Sequence, residues 1–231
     1  MKPIVLIHGA YHGAWCWDKL VKILASQHAQ VICPDLPGHG QSQLELTDLY
    51  GDGRFVRELL EQCEQPPVLC GHSYGGAVIT EAVNRVNLVD HLVYLAALVP
   101  SADIDLSDDV PDMANAPING AIHFGENGLA SFDLEQAKHF FYADCSDADI
   151  EWAKRHIDRQ KLDTFIQNVS QSLWSKVDSS YVLCTEDNAV PMPAQKVFAQ
   201  RCKQQILLES SHSPMLSQPE KVADLLLALA R

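Results

Sequence analysis

The sequence has no pair of cysteines spaced C-x-x-C, and its seven cysteines are scattered singly along 231 residues. A disulfide framework and a structural zinc site are therefore not expected, and a reducing, cytoplasmic compartment is predicted. No apolar run is long enough to span a bilayer, and the N-terminus lacks the cleavage region of a signal peptide. Basic residues are few, with 17 Lys and Arg against 30 Asp and Glu and a net charge of −13. This balance argues against nucleic acid and anionic membranes as partners.

What the sequence does have is 47% hydrophobic residues, enough for one domain with a full core. Short apolar runs alternate with amphipathic helical runs on both sides of a central break. The predicted strands are residues 4–8, 30–33, 68–70, 92–95, 181–185 and 205–208. The predicted helices between and after them are residues 15–26, 52–62, 74–85, 193–201 and 218–230. This alternation predicts an α/β fold with a mostly parallel sheet of about six strands flanked by helices.

The alternation breaks after Pro100. Residues 101–130 are rich in Asp, Asn, Pro and Gly, and two helical patterns follow at residues 134–142 and 147–159. We interpret residues 101–175 as a helical insertion and assign residues 1–100 and 176–231 to the core. The insertion starts where a strand should end, which is where ligands bind in open α/β sheets. It is therefore predicted to act as a cap, or lid, over a site.

The segment GHSYGG at residues 71–76 lies between a predicted strand and a predicted helix. A G-x-S-x-G turn in this setting strains the backbone of Ser73 and exposes its hydroxyl. A Cβ at Gly71 or Gly75 would collide with the neighbouring strand or helix. An ordinary glycine-rich turn is the alternative, but the strand–turn–helix setting favours a catalytic serine.

A serine nucleophile needs a base, and the base needs an acid that orients it. Among ten histidines, His212 is the best candidate base because it follows a late predicted strand and because serine, acid, histidine is a known chain order for such a triad. Glu186 and Asp187 both follow the strand at residues 181–185, and spacing cannot separate them. Turn chemistry favours Asp187.

Acyl transfer also needs N–H donors for an oxyanion. The backbone N–H of Tyr74, directly after the serine, is one candidate. The N–H of Ala10 is the second, since Gly9 would let the chain cross the serine. The candidate substrate-binding residues are Gly9, Tyr11, Phe140, Trp152 and Met215, although aromatic residues of an insertion more often form its own core.

Taken together, five motifs resemble the α/β-hydrolase superfamily, and within it the small esterases that include plant methylesterases, pyrethroid-hydrolysing esterases and plant hydroxynitrile lyases. The motifs are LIHGA with HGAWCW (residues 6–10 and 12–17), DLPGHG (35–40), GHSYGG (71–76), CTED (184–187) and SHSPM (211–215). The resemblance implies a Ser73–His212–Asp187 triad, Ala10 and Tyr74 as oxyanion donors, and hydrolysis of a small apolar ester. It implies a helical cap and no metal or cofactor.

The hydroxynitrile lyases share this scaffold, but they usually carry Thr where this chain has Gly9 and Lys where it has Ser213. Both departures favour ester hydrolysis over cyanohydrin cleavage. A lactonase, a thioesterase, a C–C hydrolase and a non-enzymatic small-molecule receptor remain alternatives. The oligomeric state is open, and a homodimer is compatible with the sequence.

Overall fold

A computed structural model describes residues 1–231. The strands in chain order are β1 (Ile4–Ile7), β2 (Val31–Ile32), β3 (Val68–His72), β4 (His91–Leu95), β5 (Ile122–Phe124), β6 (Leu129–Phe132), β7 (Gln160–Lys161), β8 (Asp178–Cys184) and β9 (Gln204–Leu208). Six of them form one sheet in the order β2-β1-β3-β4-β8-β9, and every neighbouring pair is parallel. The predicted parallel sheet of about six strands is confirmed.

The central strands are buried on both faces, which is why they read as unbroken apolar runs. In β1, Ile4 and Leu6 enter one hydrophobic cluster, whereas Val5 and Ile7 enter the other. All four side chains are fully buried. The sheet therefore separates two cores, and successive residues of a strand serve them in turn.

The helices cover both faces of this sheet. They are α1 (Asp18–Ser26), α2 (Leu49–Glu61), α3 (Gly75–Ala82), α4 (Leu106–Asp109), α5 (Pro111–Ala114), α6 (Ala137–Phe141), α7 (Asp147–Lys154), α8 (Met192–Ala199), α9 (Pro214–Ser217) and α10 (Pro219–Leu229). Side chains of α1 and α10 join one core, and those of α2, α3 and α8 join the other. No helix has both the length and the apolar character needed to cross a membrane.

Some helix ends differ from the predicted ones for local reasons. The helix predicted at residues 15–26 opens with a 3₁₀ turn over Ala14–Trp17, and only then becomes α1. The helix predicted from residue 52 begins at Leu49, because the Asp48 side chain caps it by accepting the N–H of Gly51.

Residues 101–175, predicted from the sequence to be a helical cap and called the cap below, are not purely helical. The cap contains a three-stranded sheet in the order β5-β6-β7, antiparallel throughout. The helical patterns shrink to the short α6 and to α7, which ends at Lys154. Strands of two to four residues carry too little alternation to be seen in a sequence. Two further 3₁₀ turns, Pro117–Ala121 and Leu162–Phe165, complete the cap.

Candidate active site

Ser73 occupies the sharp turn between β3 and α3. Its φ is +54°, a conformation that residues with side chains rarely adopt. Three backbone hydrogen bonds hold it there. The Ser73 N–H donates to the Leu95 carbonyl (3.3 Å), and the Ser73 carbonyl accepts the N–H groups of Gly76 and Leu98 (3.0 Å each). A Cβ at Gly71 would lie 2.4 Å from the Gly75 carbonyl oxygen, so no side chain fits beneath the turn. The backbone therefore sets the position of the serine.

The loop after β1 passes directly over this serine. A Cβ at Gly9 would lie 2.9 Å from the Cβ of Ser73, so the close approach requires glycine. The next residue, Ala10, and the residue after the serine, Tyr74, both line the same cavity as Ser73. Neither backbone N–H donates to another group of the protein. Two free N–H donors thus flank the serine, as an oxyanion hole requires.

His212 lies in the loop after β9, and its partner is Asp187. The imidazole Nδ1 is 2.8 Å from Asp187 Oδ2, and both side chains are buried. The other carboxylate oxygen, Oδ1, accepts the N–H groups of Ala189 (2.7 Å) and Val190 (3.0 Å). Glu186, by contrast, is exposed. Of the two acids that spacing left open, Asp187 is the one that contacts His212.

The contact with Asp187 also decides which nitrogen of the imidazole can accept a proton. A carboxylate only accepts hydrogen bonds, so the Nδ1 of His212 carries the proton and Nε2 carries the lone pair. His212 lines the cavity that holds Ser73. The structure has no hydrogen bond between His212 Nε2 and the Ser73 hydroxyl, which is common in sites without substrate.

Three other buried histidines surround the serine, and in each the ring nitrogens are committed elsewhere or enclosed. They are His8, His12 and His72. The Nε2 of His8 accepts the Leu36 N–H (3.0 Å), and the Nε2 of His72 lies 2.7 Å from the His212 carbonyl oxygen. His12 lies between the Ala10 carbonyl and the Tyr142 hydroxyl. Burial lowers the pKa of all three, to about 4 for His12. Only His212 combines a carboxylate partner with a free Nε2.

Comparison with known proteins identifies the family of this chain. The model of the alpha/beta hydrolase family matches residues 4–225. The chain belongs to the alpha/beta hydrolase family. The family expected from the motifs is thereby confirmed.

Three relatives of this hydrolase have different named activities. Norfluorocurarine synthase 2 of Strychnos nux-vomica is 27% identical over 99% of this chain and 95% of that protein. The pyrethroid hydrolase of Sphingobium wenxiniae is 27% identical over 96% of this chain and 85% of its own. Polyneuridine aldehyde esterase of Rauvolfia serpentina is 27% identical over 99% and 96%. A crystal structure of polyneuridine aldehyde esterase covers 100% of both chains with a TM-score of 0.87 at 23% identity, which establishes the shared fold. The hydrolase and the esterase among these relatives support carboxylic ester hydrolysis as the enzyme class.

The cavity of this hydrolase encloses about 640 Å³ between the core and the cap, and most residues that line it are apolar. Tyr11 lines the cavity, whereas Gly9, in the loop that crosses Ser73, does not. Phe140, Trp152 and Met215 are not lining residues. Their neighbours explain why each lies elsewhere.

Phe140 packs edge-on against Phe132 (ring centroids 6.2 Å apart), and α6 turns Phe141 into the cavity instead. Trp152 packs on Trp15 with ring centroids 5.1 Å apart. Met215 is fully buried in the core cluster beside α1 and α10. The aromatic content of the cap was visible in the sequence, but the rotation of each short helix was not.

Several residues that hold the site together carried no signal in the sequence. Gln195 in α8 is fully buried, exchanges hydrogen bonds with the backbone of Cys184 (2.9 Å each) and reaches Asp187 Oδ2 at 3.5 Å. In the cap, Gln160 Oε1 accepts the Tyr11 N–H at 3.2 Å. A glutamine in a helix or a cap reads as a surface residue, so neither role could be found without the structure.

Proposed function

We propose that this hydrolase is a serine carboxylesterase that cleaves small, largely apolar carboxylic esters through Ser73, His212 and Asp187. The observation that carries the proposal is that the groups needed for acyl transfer meet at one cavity. A serine on a strained turn, an imidazole oriented by a buried carboxylate and two free backbone N–H groups all line or support it. Each of these groups has a distinct role in acyl transfer.

In the proposed reaction, the Nε2 of His212 accepts the proton of the Ser73 hydroxyl as the oxygen attacks the ester carbonyl. The N–H groups of Ala10 and Tyr74 stabilise the resulting oxyanion. The alcohol then leaves with the proton held by His212, and an acyl-enzyme remains. His212 next takes a proton from the water that attacks the acyl carbon, and it returns this proton to the Ser73 oxygen as the acid is released. Asp187 stabilises the imidazolium through its bond to Nδ1.

The cavity supports an apolar, uncharged substrate. No lysine or arginine lines it, and Asp105 is the one acidic side chain in its lining. An ester that carries a carboxylate would have no cationic partner there and would lose its hydration on entry. The cavity volume of about 640 Å³ is in the range of pockets for small organic molecules. We therefore expect neutral esters to be hydrolysed faster than anionic ones of the same length.

Cleavage of hydroxynitriles is an alternative to ester hydrolysis, because the motifs also resemble those of plant hydroxynitrile lyases. Gly9 places no hydroxyl over the serine, and Ser213 places no cation beside His212. Lactone, thioester and C–C bond hydrolysis would use the same groups and differ in the substrate that the cap admits. A receptor without turnover would retain its ligand, so a burst followed by steady turnover separates it from an esterase.

The test uses p-nitrophenyl esters of increasing acyl length, an anionic ester of matched length, and mandelonitrile. Ser73→Ala should lower ester hydrolysis by about 10⁶-fold and abolish covalent labelling by a fluorophosphonate. Ser107→Ala is the matched control, because Ser107 lines the same cavity. This variant should keep both ester hydrolysis and fluorophosphonate labelling. Retained labelling of Ser73→Ala, or cyanide release that exceeds ester hydrolysis, would contradict the proposal.

A further inference from the structure

One short segment of the cap contacts two loops of the candidate active site, the loop after β1 and the loop after β9. This segment, residues 142–144, directly follows α6. Its first residue, Tyr142, reaches the loop after β1, and its last residue, Asp144, reaches the loop that carries His212. No other segment of the cap contacts both loops through side-chain hydrogen bonds.

Tyr142 is fully buried, and its hydroxyl lies 2.6 Å from the Nε2 of His12. The Nδ1 of His12 lies 2.7 Å from the Ala10 carbonyl oxygen, which only accepts, so Nδ1 carries the proton and Nε2 accepts from the tyrosine. The chain of bonds therefore runs from the cap, through one neutral imidazole, to the residue whose N–H faces the serine. Removing the hydroxyl would leave a buried nitrogen of His12 without a donor.

Asp144 binds the other loop through its carboxylate. It accepts the Ser211 N–H (3.1 Å), the Ser210 hydroxyl (3.0 Å) and the Ser211 hydroxyl. Partial burial acts to raise the pKa of Asp144, but the hydrogen bonds from Ser211 and its neighbours outweigh it and lower the pKa below its usual value. The carboxylate thus stays charged where it holds the two residues before His212.

We propose that residues 142–144 form a strap that positions the two halves of the active site relative to each other. Tyr142 positions the Ala10 N–H, and Asp144 positions the imidazole of His212. Both are positioning residues, because each acts through another residue and neither touches the serine. The inference rests on the proposed esterase function. It adds that the cap is part of the catalytic geometry as well as the wall of the cavity.

A strap of this kind should affect the transition state more than substrate binding. The oxyanion and the imidazolium exist only during the reaction, so a misplaced N–H or imidazole lowers kcat and leaves KM nearly unchanged. Displacements below 1 Å are enough to matter at such distances. A merely structural role would lower thermal stability without this split.

The first pair of variants is Tyr142→Phe and Tyr94→Phe. Tyr94 is also fully buried, and its hydroxyl bonds Thr80 at 3.0 Å, away from both loops. The second pair is Asp144→Asn and Asp149→Asn, since Asp149 is another cap carboxylate that binds Lys19 and Ser146 instead. We expect Tyr142→Phe and Asp144→Asn each to lose about 10- to 100-fold in kcat with KM within about twofold. The two controls should stay within about twofold of the unmodified enzyme in both constants.

A trifluoromethyl ketone provides a second readout, because its adduct with the serine carries an oxyanion in the position of the intermediate. Its affinity should fall in proportion to kcat in the two strap variants and should not change in the controls. If Asp144→Asn does not fold, Ser211→Ala removes one of the same bonds and serves in its place. A change confined to KM, or equal losses of kcat in the strap and control variants, would contradict the proposed positioning role of the strap. The proposed function would stand in that case, provided that Ser73→Ala remained inactive.

Discussion

The two parts of the catalytic arrangement are built in different ways. The turn that presents Ser73 is held mainly by the backbone, with positive φ, three main-chain hydrogen bonds and glycines where a Cβ has no room. The loop that presents His212 is held by side chains, through Asp187 on one side and Asp144 on the other. Ser73 is held rigid by steric exclusion, and the imidazole of His212 is oriented by hydrogen bonds.

This difference predicts two kinds of sensitivity. A steric constraint fails completely when a methyl group is added, because backbone atoms cannot move apart without disrupting the sheet. A hydrogen-bonded loop tolerates substitution and responds in proportion to the bond that is lost. Mutations at the turn should therefore appear in stability, and mutations around His212 should appear in kcat.

Among the substitutions that test this comparison, Asp187→Asn should have the largest effect. An amide in place of the carboxylate can donate to Nδ1, which moves the proton of His212 to Nε2 and removes the lone pair that faces the cavity. We expect kcat to fall by about 10³- to 10⁴-fold while the thermal midpoint changes little. Steady-state kinetics with a p-nitrophenyl ester at neutral pH measures this.

Glu186→Gln is the matched control, since the neighbouring carboxyl is exposed and does not contact His212. It should keep kcat within about twofold, as surface substitutions usually do. A larger loss from Glu186→Gln than from Asp187→Asn would reassign the acid and remove the hydrogen-bonded half of the comparison.

Gly71→Ala tests the steric half. The new Cβ would lie 2.4 Å from the Gly75 carbonyl oxygen, so the strand and the helix must move apart. We expect a loss of roughly 3 kcal/mol or more in unfolding free energy and a thermal midpoint about 6–12 °C lower. Gly120→Ala is the control, because nothing lies within 4 Å of a Cβ at that position. Equal midpoints for the two variants would show that the turn is not sterically limited.

The residues of the backbone-held turn were the ones most visible in the sequence. Glycine at positions 9, 71 and 75 signals close approach, and a strand–turn–helix pattern places Ser73 at an apex. The order of strands also placed Asp187 and His212 at the carboxyl edge of the sheet, because parallel strands end on the same side. Local sterics and strand order therefore predict Ser73 and His212, whereas only turn chemistry and the family resemblance favoured Asp187 over Glu186.

The side-chain contacts of the cap were not predictable in this way. The bond from Tyr142 to His12 joins residues 130 positions apart, and it depends on the rotation of α6, which is only five residues long. The same rotation puts Phe141 rather than Phe140 into the cavity. One turn of helix has no periodicity to read, so its facing residues are decided by tertiary packing. Short elements limit prediction here more than chemistry does.

One side chain does support the turn of Ser73, and it yields the smallest predicted effect. The Tyr74 hydroxyl donates to Asp52 Oδ2 at 2.8 Å, and Thr47 donates to Oδ1 at 2.6 Å. Asp52 is fully buried, and burial raises its pKa to about 7. The folded protein then binds a proton that the unfolded chain has already released above about pH 4, so Asp52 contributes less to stability as pH rises from 4 to 7.

The wild-type pH curve alone cannot isolate this group. Burial lowers the pKa of His8, His12 and His72, and their titration raises stability over part of the same range. The measurement is therefore the difference in unfolding free energy between the unmodified protein and Asp52→Asn. This difference should shift in favour of the variant by about 1–3 kcal/mol between pH 4 and pH 7.5. Asp108→Asn, an exposed carboxyl, should show no such shift. A pH-independent difference for Asp52→Asn would mean that Asp52 stays charged and holds Tyr74 as a carboxylate, and the turn would then depend on side-chain electrostatics as the His212 loop does.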